Sequence, residues 1–306
     1  MLKAILLEAP GVVKTADEIQ TNSDWKALTE EAGQQGIRVI LFSFDASSKK
    51  QCCTQGELSG EHLRWECLEE KYRPTECLLL AADSECLSAA RKLGIPCVAY
   101  GEDVPAFQTK YQISTSEGAE FWYLKQIYQR LSGEEVVIAE TGRLMIREMT
   151  QEDAEAMWEI QNQGEVRRYT EGISHDCQTE LEKHRAYVEH VYPLYGYGLW
   201  AVCLKASRKL IGRCGIQDRE YNGVCEIELG YLLDTKDWGQ GYATEAVSAV
   251  IDYAFHQLGI EQIVAWIEPE NERSVRVAQK TGMEFCEYRI KNGKNFACYK
   301  ISRQSD

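Results

Sequence analysis

The stretch "DTKDWGQGYATEA", from Asp234 to Ala246, constrains this chain more than any other. Two glycines one residue apart lead directly into good helix formers. Glycine reaches positive φ without strain and lets a backbone approach a ligand closely. The free N–H groups and positive dipole end of the helix that follows then make a phosphate cradle. That helix reads "ATEAVSAVIDYAFHQLG", with apolar Ala243, Val247, Val250, Ala254 and Leu258 along one face.

What precedes the cradle narrows its use. "GLWAVCLK", "LIGRCGI" and "VCEIELGYLL" are separated by turn residues at "ASRK" and Asn222–Gly223, the pattern of an antiparallel meander. Further upstream, Thr150 stands three residues before Asp153 in capping-box spacing, ahead of Ala154, Met157 and Trp158. A second helix is expected from Thr179 to Val191, and a strand, "QIVAWIE", after the cradle helix. A nucleoside-triphosphate P-loop needs a Gly-Lys-Ser/Thr triplet, which is absent. A dinucleotide fingerprint needs a third glycine where Thr244 stands. Glu261, 20 residues past Gly241, precedes a strand where a ribose-binding acid should end one.

The first part of the chain is organised differently. "KAILLEAP", "IRVILFSFD", "CLLLAAD" and "PCVAYG" are short apolar runs suited to buried parallel strands. Helical patterns at "DSECLSAARKLG" and "GAEFWYLKQIYQRLSG" complete a small α/β sandwich with helices on both faces. The joint lies in "RLSGEEVVIAETGRLMIREMT", which gives domains 1–138 and 139–306.

With 306 residues, 44% of them apolar, two cores are feasible. No apolar run reaches the ~18 to 20 residues that span a bilayer. The opening "MLKAILLEAPGVV" reads as a first strand rather than a signal peptide. Twelve cysteines show no CxxC and no His/Cys ladder, so reduced thiols in a cytoplasmic protein are expected, without zinc. The net charge of −14 is spread over both parts, 21 acids against 14 bases up to residue 138 and 27 against 20 beyond. That balance argues against nucleic acid and suits a cationic substrate.

The cradle and its surroundings resemble the GNAT acyltransferase superfamily. Its Gln/Arg-x-x-Gly-x-Gly/Ala pattern matches Trp238, Gly239, Gln240, Gly241, Tyr242 and Ala243, followed by Thr244, with tryptophan in the Gln/Arg place. "RLMIREMTQEDAEAM", "LWAVCLKASRKLIGRCGI", "EIELGYLL" and "NERSVRVAQKTGMEF" extend the resemblance over nearly all of 142–301, nearest to ribosomal-protein N-terminal acetyltransferases of the RimJ/RimL type. The resemblance implies an α+β domain whose mixed, mostly antiparallel sheet is splayed at its centre. It implies acetyl-CoA as cofactor and a primary amine, small molecule or peptide, as acceptor, attacked directly in a ternary complex. It leaves a homodimer open, and a non-catalytic acyl-CoA sensor is the rival.

Amine acetylation needs a group to take the ammonium proton. Glu226 and Glu228 share one strand face, and the resemblance places the base at Glu228, ten residues before Trp238, with a solvated or substrate-binding carboxylate as the alternative. The resemblance places a splayed fourth strand four residues further on, which implies the Leu232 N–H for the thioester carbonyl and the Leu233 backbone for the pantetheine arm. The tyrosine often used to protonate the thiolate is replaced by Ala278. Ser274 is then the candidate donor, with solvent as the alternative, and Asn271 is expected on the cofactor or as a helix cap. His175, His184, His190, Tyr192, Tyr195, Tyr197 and Trp200 fall in the acceptor region, where packing is the stronger expectation. Strand packing is likewise expected of Cys214 and Cys225.

The first domain resembles haloacid dehalogenase-like hydrolases, most closely at "CLLLAADSECLSAARKLGIPCVAYG". That chemistry uses an aspartate nucleophile and a second aspartate two residues on, beside Mg²⁺. Here the places hold Glu8 and Pro10, with Ser43 and Asp83 as remaining phosphate or metal contacts; no phosphate-binding lysine stands in the right context, although Lys71 is nearby. An inactive binding, docking or dimerisation module is expected.

Overall fold

The computed structural model describes residues 1–9, 12–13, 18, 21–43, 52–54, 62–64, 72–102, 109–170 and 172–304. Two compact units divide between Val136 and Val137.

The first unit contains β1 (Ala4–Ala9), α1 (Ser23–Gln34), β2 (Arg38–Ser43), β3 (Cys52–Thr54) and β4 (His62–Arg64), then β5 (Cys77–Ala81), α2 (Ser84–Lys92), β6 (Cys97–Tyr100), β7 (Gln112–Ile113) and α3 (Phe121–Ser132). Its sheet runs β4-β3-β2-β1-β5-β6-β7, with β2, β1, β5, β6 and β7 parallel. The antiparallel β3 and β4 extend one edge and have no counterpart among the sequence expectations. Alternation in β1 explains the two layers. Ile5 and Leu7 face Trp25, Leu28, Leu124 and Ile127 of α1 and α3, while Ala4 and Leu6 face Leu87 and Ala90 of α2. Each large side chain buried this way contributes about 1.5–3 kcal/mol.

The second unit contains β8 (Val137–Glu140), β9 (Leu144–Arg147), α4 (Ala154–Gln161), α5 (Gly164–Arg167), α6 (Cys177–Tyr195), β10 (Leu199–Leu204), β11 (Leu210–Tyr221) and β12 (Val224–Leu233). After these come α7 (Tyr242–His256), β13 (Gln262–Ile267), α8 (Glu272–Lys280), β14 (Glu284–Lys291) and β15 (Lys294–Ser302). The sheet order is β14-β15-β13-β12-β11-β10-β9-β8. Every pairing is antiparallel except β12 with β13. That parallel ladder consists of a single pair, Glu228 with Val264, so the sheet opens at its centre.

Local chemistry sets the edges of these elements. Thr150 and Asp153 form the expected capping box. Asp176 caps α6, which continues past the expected Val191, through Pro193, to Tyr195. Asn222 and Gly223 both have positive φ, the two-residue turn that matches strand twist in the β11–β12 hairpin. Among the described residues no helix is long and apolar enough to cross a membrane.

Candidate active site

The cradle forms as the glycine spacing predicts. Gly239 and Gly241 both lie in the left-handed region, at φ of 76° and 82°. Gly241 caps α7 without a side-chain hydrogen bond, so the first-turn N–H groups remain open to an anion. Gln240 and both glycines are exposed, and Tyr242, Ala243 and Thr244 are half-buried.

Arg143 braces this loop, a residue that sequence reasoning missed. Its Nη1 donates to the Gln240 carbonyl at 2.9 Å, and its guanidinium lies 4.5 Å from the centre of the Tyr242 ring. Glu245 accepts from the Arg143 Nε at 2.7 Å, the Arg143 N–H at 3.0 Å and the Thr141 hydroxyl at 2.6 Å. Burial alone would raise the Glu245 pKa, but these bonds hold it below the usual carboxylate value. Trp238 braces the other side. Its Nε1 donates to the Leu233 carbonyl at 2.9 Å, and Arg273 stacks on its ring at 4.5 Å.

Strand pairing decides which backbone groups face the central opening. The Asp234 N–H donates to Ile211 on β11 at 2.8 Å. Backbone groups alternate sides along a strand, so Leu232, two residues earlier, also directs its N–H at β11. The assignment of the thioester carbonyl to Leu232 is thereby corrected: Tyr231 and Leu233 are the residues whose N–H groups point to the opening. The Leu233 carbonyl is already taken by Trp238, which leaves its N–H. Both leucine side chains are core.

Glu228 stands where the parting begins, paired with Gln217 across β11–β12 and 5% exposed. One oxygen takes both of its bonds: Oε2 accepts from the Arg219 Nε at 2.5 Å and the Gln217 Nε2 at 3.1 Å. Oε1 forms no hydrogen bond among the described residues. Burial raises the Glu228 pKa above the usual carboxylate value, and the opposing charge of Arg219 and its bonds only partly offset this. Arg219 in turn lies 4.7 Å over the Trp266 ring. Glu226, on the same face, is bound bidentately by Arg289 at 2.5 and 3.1 Å.

On the opposite face, the Tyr231 hydroxyl is sealed from solvent, with Ser274 the polar side chain beside it. Burial raises its pKa. Asn271 takes the bland role, accepting from the Ser274 N–H at 3.2 Å as the cap of α8. Ala278 is buried.

The aromatic and histidine cluster is mostly framework. Tyr192 and Trp200 are fully buried, His184 Nε2 bonds the Thr150 carbonyl at 2.7 Å, and the Tyr197 hydroxyl donates to Asp218 at 2.6 Å. Cys214 is buried with its thiol pKa pushed up, while Cys225 is exposed at the hairpin. Among the described residues no cluster of three or more metal-ligating side chains occurs.

Comparison with known proteins bears on the same unit. Residues 143–284 match the family model described as an acetyltransferase (GNAT) domain. Bacillus subtilis YkkB, an uncharacterized protein, is 31% identical over 164 residues, covering 52% of this chain and 92% of its own. The uncharacterized N-acetyltransferase p20 of Bacillus licheniformis is 32% identical over 172 residues, covering 53% and 93%. A crystal structure of a GNAT-family acetyltransferase from Bacillus anthracis superposes with a TM-score of 0.46 at 26% identity, covering 53% of this chain and 96% of that one. Through its second unit the chain belongs to the GNAT family of acetyltransferases.

Proposed function

We propose that the second unit transfers an acetyl group from acetyl-CoA to a primary amine by direct attack, with Glu228 as general base. The observation behind this is the state of its carboxylate. One oxygen is fixed by two donors, and the other is uncommitted where β12 parts from β13. A raised pKa suits a base that must accept a proton near neutral pH. The cradle fits a pyrophosphate, because α7 begins with open N–H groups and Gly239 has no atom within 4 Å of where a Cβ would stand. Acetyl-CoA supplies the activated acyl group and a thiolate leaving group. The Tyr231 N–H would hold the carbonyl oxygen and the Leu233 N–H the pantetheine arm. The Ser274 and Tyr231 hydroxyls would supply donors toward the thiolate, the place from which tyrosine is missing at Ala278.

For the first unit we propose a degenerate haloacid dehalogenase-like domain with a binding role. Its central strands are parallel, and Glu8 and Asp83 each hold backbone N–H groups through one oxygen. Glu8 Oε2 accepts from the Ala82 and Asp83 N–H groups at 2.7 and 3.1 Å, and Asp83 caps α2 through the Cys86 N–H at 2.7 Å. Pro10 and Lys71 lie outside the described residues, as does the Ser43 side chain.

The test is CoA thiol release by the full chain against peptides with free N-termini, polyamines, amino acids and aminoglycosides. One responding class supports the reading. No release while acetyl-CoA binds contradicts it.

A further inference from the structure

The charged side chains facing Glu228 are nearly all paired with one another. Arg219 is on Glu228, Arg289 on Glu226, and Arg147 on Asp153 at 2.6 Å. Arg213 breaks the pattern. Residues directly opposed in a sheet share a face, as do alternate residues along a strand. Gln217 opposes Glu228, Gly215 opposes Gly230, and Arg213 opposes Leu232. Arg213 therefore stands on the Glu228 face, level with the part of β12 that lines the central opening. The glycine pair between them is covered on that face by Leu199, which opposes Gly215 and whose Cδ2 lies 3.2 Å from where a Cβ on Gly230 would stand, an apolar floor between the two longer side chains.

The groups around Arg213 are already occupied. The Tyr187 hydroxyl accepts from the Leu199 N–H at 2.6 Å. The Tyr192 hydroxyl donates to the Leu199 carbonyl at 2.6 Å and accepts from the Met149 N–H at 3.1 Å. Glu180, the acid whose charge reaches Arg213, is taken by the Ser174 N–H at 2.7 Å and by Lys183 at 2.8 Å. Arg213 is half-buried, and among the described residues its guanidinium makes neither an ion pair nor a hydrogen bond. Burial lowers its pKa below the ordinary arginine value. A guanidinium presents five donors in a planar fork that matches a carboxylate, and desolvating it without an anion is costly.

Resting on the acetyltransferase reading above, we propose that the acceptor is a small amine that also carries a carboxylate, of the amino-acid class, with Arg213 binding the carboxylate while Glu228 takes the proton from the amine. Acetylation then converts the ammonium to a neutral amide, and the carboxylate remains on Arg213 until release.

The experiment compares matched acceptors with the full-length protein and acetyl-CoA: free amino acids, their carboxamides, and short peptides with free N-termini, each read by CoA thiol release. A free amino acid should be used with a KM about 10- to 100-fold lower than its carboxamide, the worth of a charge-assisted pair. Arg213→Gln should abolish that difference and Arg213→Lys restore part of it. Acetyl-CoA affinity, followed by calorimetry, should stay as in the unmodified protein and so show an intact fold. Equal use of acid and carboxamide, a preference for peptides, or a difference that survives Arg213→Gln would overturn this inference alone. No release from any amine while acetyl-CoA binds would overturn the acetyltransferase reading with it.

Discussion

Glu228 has two oxygens with different surroundings, and the proposed chemistry depends on that difference. Arg219 and Gln217 fix Oε2, which orients the carboxylate without consuming Oε1. Replacing the carboxylate by the isosteric amide in Glu228→Gln keeps an acceptor oxygen for Arg219 but removes the base. Turnover should fall about 100-fold or more. A base acts only when ionised, so its activity is lost as pH falls through its pKa. Burial has moved that pKa up from 4.5, so the acidic limb of kcat/KM should lie above that value and disappear in Glu228→Gln. A pH profile from 4.5 to 9 with both proteins reads this directly. Glu228 was legible because strand alternation puts it on one face with Glu226 and the resemblance puts the base ten residues before Trp238. Its partner Arg219 was not, since the pairing depends on the β11–β12 register. The assignment of the thioester carbonyl to Leu232 failed for a related reason. Alternation is visible in sequence, but its phase depends on which strand takes the Asp234 N–H.

At the scale of elements, the cradle and the cap of α8 are local devices and were legible as such. Gly239 has free space for a methyl group but a φ of 76°, so Gly239→Ala tests conformation alone. A left-handed non-glycine residue costs roughly 1–2 kcal/mol, which predicts acetyl-CoA binding weakened by about 5- to 30-fold in a calorimetric titration. Asn271→Ala should lower unfolding free energy by about 1 kcal/mol in urea denaturation, the worth of a cap. The brace formed by Arg143 and Glu245 joins residues about a hundred positions apart, and no spacing in the sequence marks it. The β14–β15 hairpin was likewise not anticipated. Its turn, Asn292–Gly293, has the same positive-φ pair as the one foreseen at Asn222–Gly223.

For the whole molecule, each unit holds one buried glutamate by a single oxygen, in different surroundings. In the first, Glu8 Oε2 and Asp83 Oδ1 accept from backbone N–H groups that fix the ends of β1 and β5, and Pro10 stands where the resembled chemistry has its acid/base aspartate. The full chain should therefore show no Mg²⁺-dependent phosphatase turnover with a generic aryl phosphate; measurable, chelator-sensitive turnover would restore a catalytic role to this unit. In the second, Glu228 keeps one oxygen open beside the parted strands. The most direct test of the account is acetyl-CoA turnover by the full-length protein and by Glu228→Gln, with a responsive amine at neutral pH and acetyl-CoA affinity measured in parallel. The expected result is CoA release by the unmodified protein, its near loss in Glu228→Gln, and equal affinity for both. Equal turnover by the two proteins would contradict it.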